Sequence, residues 1–144
     1  MTASLSQRRE GAKGMKENDI AKELVDAAYK VHTTLGPGLL ETVYEAAMCH
    51  ELKKRGLSFA RQVPVPVDYD GVRLGLGFRA DLVIDDAVVL ELKSVEAIAP
   101  LHKKQLLTYL RIMGKRLGLL INFNDELIRH GIFRIVNGLP DDAS

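Results

Sequence analysis

Apolar residues recur at helical spacing through Ile20, Leu24, Ala27, Ala28, Val31 and Leu35. The pattern predicts a helix starting at Asn18 or Asp19, both good caps. Gly36-Pro37-Gly38 should stop it. A second helix is expected over residues 39–55, with Leu40, Val43, Tyr44, Ala47, Met48 and Leu52 on its apolar face and Gly56 at its end. So short a turn makes the two helices packed neighbours. From Leu57 the period changes to two. Val63, Val65 and Val67 alternate with Pro64, Pro66 and Asp68, and two prolines place such a segment at a sheet edge or in an irregular stretch. Asp70-Gly71 signals a hairpin whose return strand carries Val72, Leu74 and Leu76. Residues 80–84 and 88–93 read as strands joined near Asp85-Asp86. A third helix over 100–113, a buried strand over 117–123 and a last strand over 131–136 follow. The order α, α, β, β, β, β, α, β, β predicts a mixed sheet flanked by helices, in the α/β or α+β class.

The chain has 144 residues, enough for one domain with a sizeable core. The expected organisation is a polar tail over 1–17, a single domain over 18–138 and a short tail over 139–144. The first tail holds Arg8, Arg9, Lys13 and Lys16 without periodicity, so it is a solvated segment or a basic arm for nucleic acid. It lacks the apolar stretch of a signal peptide, and no apolar run approaches the roughly 20 residues that span a bilayer. Apolar residues make up 47% and charged residues 27%, which excludes wholesale disorder. Against 20 Lys and Arg stand 19 Asp and Glu, so bulk charge advertises no polyanion partner. Aromatic residues are 6% with no Trp, which argues against a base-stacking platform. One cysteine, Cys49, rules out an internal disulfide and fits a reducing cytoplasm.

The unusual stretch is Val88-Val89-Leu90-Glu91-Leu92-Lys93. Period two puts Val89, Glu91 and Lys93 on one face of a strand with the apolar content of a central one. Opposite charges on a buried strand are costly unless paired or bound to something; the plain alternative is a surface ion pair on an exposed face. Asp81, in another apolar strand, is the second candidate. A two-residue loop at Asp85-Asp86 would pair Ile84 with Ala87 and turn Asp81 away from Glu91. A three-residue loop, or a bulge, would set Asp81 directly across from Glu91. Glu41 is the third. It lies about 60° from Tyr44 on a helical wheel, at the margin of the apolar face. It could point at the sheet, or simply favour the helix macrodipole from the first turn. Gln105 and Tyr109 share a face of the third helix, and His102 could reach it. His32, His50 and His130 lack metal-ligand spacing and read as structural or exposed, and Cys49 reads as a buried thiol.

Gly38-Leu39-Leu40-Glu41-Thr42-Val43-Tyr44 resembles the signature of the GxxExxY protein family. Asp81 followed by Glu91-Leu92-Lys93 resembles the acidic core of the PD-(D/E)XK nuclease superfamily, to which that family is assigned. Gln105-Leu106-Leu107-Thr108-Tyr109 is similar to the Gln-x-x-x-Tyr helix motif of RecB-type nucleases in the same superfamily. The resemblance covers roughly residues 20–136. It departs at Ala80, where the superfamily often has Pro before its Asp.

The resemblance implies a restriction-endonuclease-like core and a Mg²⁺- or Mn²⁺-dependent nuclease. Three carboxylates meeting within a few Å would need a cation to stay ionised, and oxygen-only donors select such ions over zinc. Asp81 and Glu91 would be direct ligands, with the Leu92 carbonyl a further one and Glu41 acting through water or on a second ion. Lys93 would orient the attacking water or stabilise the phosphate. Gln105 and Tyr109 would position the substrate strand. The implied partner is nucleic acid, DNA ahead of RNA, with no membrane and with a homodimer as a means of cutting two strands. A non-catalytic member of the fold that binds nucleic acid or protein is the alternative, and a hydrolase of small phosphate esters a third.

Overall fold

The computed structural model describes residues 13–75 and 77–140. Helices α1 (Lys13–Leu35) and α2 (Glu41–Lys54) precede strands β1 (Phe59–Pro64), β2 (Asp68–Tyr69), β3 (Val72–Arg73), β4 (Arg79–Ile84) and β5 (Val88–Lys93). Helix α3 (Pro100–Met113), β6 (Leu117–Asn122), a 3-10 turn (Ile128–Gly131) and β7 (Ile132–Val136) follow. The arginines Arg8 and Arg9, the Leu76 position of the return strand and residues 141–144 lie outside the described residues.

Five strands form one sheet in the order β1-β4-β5-β6-β7, while β2 and β3 pair as a small separate hairpin. β5 and β6 run parallel, joined through α3, and the other neighbours are antiparallel. This is the expected mixed sheet with helices on both faces. The alternation of strand residues divides the core into two layers. Leu82, Ile84, Val88, Leu90, Leu92, Leu119 and Ile121 face α1 and α2, meeting Ile20, Leu24, Tyr44, Met48 and Leu52. Ala80, Val83, Val89 and Leu120 form the other layer with Leu106, Tyr109 and Leu110 of α3. Burying this much aliphatic surface on both sides is the dominant stabilising term.

Several boundaries differ from the sequence reading. The first helix begins at Lys13 rather than at Asn18 or Asp19. Glu17, assigned to the tail, is buried and takes Arg116 Nε and Nη2 at 3.0 and 3.2 Å. That long-range pair leaves no periodic signal. Leu139, also assigned to a tail, packs into the core. Leu40 and Val43 do not join the apolar face of α2: they are 74% and 41% exposed. Five strands, not four, precede α3, because β1 starts at Phe59 and the hairpin has its own two short strands. Its return strand stops at Arg73, leaving Leu74 exposed. The hairpin turn itself is as expected, with Asp70 and Gly71 at φ 53° and 76°, the left-handed pair a two-residue turn requires.

Candidate functional site

The connection between β4 and β5 sets the site. Asp85 and Asp86 both adopt left-handed φ, 57° and 54°, and the Ala87 N–H donates to the Ile84 carbonyl at 2.9 Å. The resulting loop has three residues, so Ile84 pairs with Val88 and Leu82 with Leu90. Just beyond the Leu82–Leu90 pair, Asp81 and Glu91 come together. There the main-chain ladder yields to side chains. Glu91 Oε1 accepts the Asp81 N–H at 3.0 Å, and Asp81 Oδ2 accepts the Leu92 N–H at 2.8 Å. Glu91 is 7% exposed, so the alternative of an exposed face with a surface ion pair does not hold.

Burial pushes the Glu91 carboxyl up to about 8, and the charge of Asp81 adds to the rise. Asp81 is raised too, first by burial and then by Glu45 and Glu41, against the Leu92 hydrogen bond and the Lys93 charge, which lower it. Tyr109 lies over the same face. Its phenol is raised by burial and by the charges of Glu91 and Asp81, and its ring tilts against Phe78 at 6.2 Å. Lys93 is half-buried on the Glu91 face, and Gln105 is half-buried one turn before Tyr109.

Glu41 stands at a remove. It is exposed, and its Oε2 accepts the Ser94 N–H at 3.4 Å, just past the end of β5. Among the described residues, no three of His, Cys, Asp and Glu gather to hold a metal ion. Two of the three expected acids therefore meet, and the third borders them. His102 does not join the site: its Nδ1 accepts the Ala99 N–H at 3.0 Å and caps α3. His32 is buried against the Asp125 carbonyl at 2.7 Å, His50 and His130 are exposed, and Cys49 is a buried thiol, all as expected.

Three neighbours were missed by the sequence reading. Gln62 occupies the Asp81 row on β1, between the pairs Arg61–Leu82 and Val63–Ala80, yet makes no ladder pair itself. It holds φ 49°, a left-handed value that non-glycine residues rarely adopt. Its Nε2 donates to Glu45 Oε1 at 2.8 Å and to Asp81 Oδ1 at 3.5 Å. Glu45 is buried and also takes Arg61 Nε and Nη2 at 3.0 and 2.8 Å. Glu45 lies four residues after Glu41, a spacing that shares a helix face and was readable in advance. Asn122, fully buried, pairs with Lys93 in register; its amide grips both the N–H and the carbonyl of Val95 at 3.0 and 2.9 Å and so fixes the exit of β5.

The donor chemistry fits a hard divalent cation. Two carboxyls confront one another on a buried surface, each carrying a proton affinity that an adjacent positive ion would relieve. A strand residue points its N–H and carbonyl the same way, so the Leu92 carbonyl faces the Asp81 side. A family model of the PD-(D/E)XK nuclease superfamily matches residues 18–135. No match is found among curated proteins or among solved structures. The matched span takes in β1 to β6, most of β7, α3 and the pair of acids, and by it the chain belongs to the PD-(D/E)XK nuclease superfamily.

Proposed function

We propose that the chain is a Mg²⁺- or Mn²⁺-dependent nuclease that hydrolyses phosphodiester bonds of nucleic acid, with DNA ahead of RNA as substrate. The observation that carries this is the pairing of half-buried Asp81 with buried Glu91 in a chain of this superfamily. A divalent cation there would let both acids ionise and would supply Lewis-acid activation of water. Asp81, Glu91 and the Leu92 carbonyl are the groups assigned to hold it, with Glu41 acting through water. Lys93 orients the attacking water or balances charge gathering on the phosphate. Gln105 and Tyr109, on the helix above the pair, position the substrate strand. Cutting both strands of a duplex at one place needs two such sites, so a homodimer belongs to the proposal. A cytoplasmic location does as well; no helix of the described residues is long and apolar enough to cross a membrane.

The test is incubation with single-stranded DNA, duplex DNA and RNA in Mg²⁺, Mn²⁺ or chelator. Cleavage should require the metal. It should fall by about 10²-fold or more in Glu91→Ala and Lys93→Ala, the usual loss for a group that stabilises developing charge. Tight binding without cleavage under any metal would instead identify a non-catalytic binding module.

A further inference from the structure

The first turn of α2, which carries Glu41, leaves Leu40 and Val43 exposed and reaches the core through Tyr44. Polar ties add to that anchorage. The Tyr44 hydroxyl donates to the Gly36 carbonyl at 2.6 Å and accepts the Leu39 N–H at 3.1 Å. Ser94 Oγ donates to the Leu39 carbonyl at 2.6 Å, while the Ser94 N–H donates to Glu41 itself. The Tyr44 ring is fully buried and stacks on Phe123, with centroids 4.5 Å apart and planes within 9°. Phe123 in turn donates its N–H to the Lys93 carbonyl at 2.9 Å.

These contacts close a loop through the site. The turn before α2 is bound through Tyr44 to the end of β6, and through Ser94 to the end of β5, directly after Glu91-Leu92-Lys93. A phenylalanine at position 44 would serve burial and stacking equally well. What the hydroxyl adds is the pair of bonds across residues 36–39. Gly38, at φ 95°, allows the chain to make that turn.

We infer, resting on the nuclease function proposed above, that Tyr44 and Ser94 are positioning residues: they lock Glu41 to the end of β5 beside Asp81 and Glu91, and thereby set the affinity of that site for a divalent cation. Glu41 is close enough for its charge to be felt at Asp81. Loosening the turn leaves the acid pair in place and removes the third carboxylate from its station.

The experiment is a Mn²⁺ titration of the full chain, followed by electron paramagnetic resonance of free Mn²⁺, for wild type, Tyr44→Phe, Ser94→Ala, Ser94→Thr, Glu41→Gln and the double variant Tyr44→Phe/Glu41→Gln. Tyr44→Phe and Ser94→Ala should each weaken Mn²⁺ binding about 10-fold, the low end for groups that orient a metal ligand. Glu41→Gln should weaken it at least as much, the double variant no further, and Ser94→Thr should restore it. Ser94→Ala carries the test if Tyr44→Phe fails to fold. Unchanged affinity in Tyr44→Phe and Ser94→Ala, or losses that add to that of Glu41→Gln, would overturn the inference alone. A wild type that binds no Mn²⁺ would overturn the nuclease function and this inference with it.

Discussion

Glu91 accepts the main-chain N–H of Asp81 at 3.0 Å just beyond the Leu82–Leu90 pair, where the β4–β5 pairing ends. Asp81 answers by accepting the N–H of the next residue, Leu92. Each acid is thus fixed by the other's strand while their charges oppose. The folded chain therefore keeps a proton on Glu91 up to about pH 8, which an unfolded chain gives up from its ordinary value of 4.5. Because the folded state binds more protons in that window, stability without metal must fall as pH rises from about 5 to 8. Thermal denaturation in chelator should show a lower midpoint at pH 8 than at pH 5.5. Glu91→Gln should flatten the dependence, and Mn²⁺ should raise the midpoint most at the alkaline end.

Gln62 separates stability from activity. Its left-handed backbone favours glycine, while its amide links Glu45 to Asp81. Gln62→Gly should hold or raise the melting temperature, since relief of strain offsets the lost hydrogen bonds. Cleavage should nonetheless drop about 10-fold, as for other groups that orient ligands. Melting and cleavage measured side by side check this; an unchanged rate contradicts it.

Gly131 is a point of close approach. A Cβ there would lie 2.4 Å from the Asn122 carbonyl oxygen and 2.7 Å from Asp125 Oδ2. Gly131→Ala must displace backbone beside the residue that holds Val95. A loss of about 1–3 kcal/mol, typical of overpacking, should appear as a lower urea midpoint with an unchanged slope.

Cys49 should be chemically quiet. It is 6% exposed, and burial pushes its thiol up, further from the reactive thiolate. A thiol reagent should label it only in denaturant, and Cys49→Ala should leave cleavage unchanged.

Where local rules decide structure, they were readable. Pro100 at a first turn and Gly114 after the last one bound α3 at both ends, and Gly114 takes the left-handed φ of 68° that such an end requires. Asp81 and Glu91 were recognisable as candidates, but their meeting hung on loop length, which propensity does not determine; the two left-handed aspartates decide it. Other features rest on contacts between distant segments. Glu17 and Arg116 lie 99 positions apart, and no periodicity announces that the helix extends back to include Glu17. Leu40 and Val43 fit a helical stripe, yet both are exposed, and Tyr44 is the residue of that turn that enters the core. Gln62 gave no signal, because a strained backbone at one strand residue is a product of the assembled sheet.

The proposed function requires that Asp81 and Glu91 together lodge one divalent cation. A crystal of the wild-type chain soaked in Mn²⁺, measured at a wavelength where manganese scatters anomalously, tests it most directly. The predicted result is a single strong anomalous peak between the two carboxyls, within bonding reach of the Leu92 carbonyl and absent in Glu91→Gln. A peak elsewhere, or a bare carboxyl pair still hydrogen-bonded to the facing strands at saturating Mn²⁺, would contradict it.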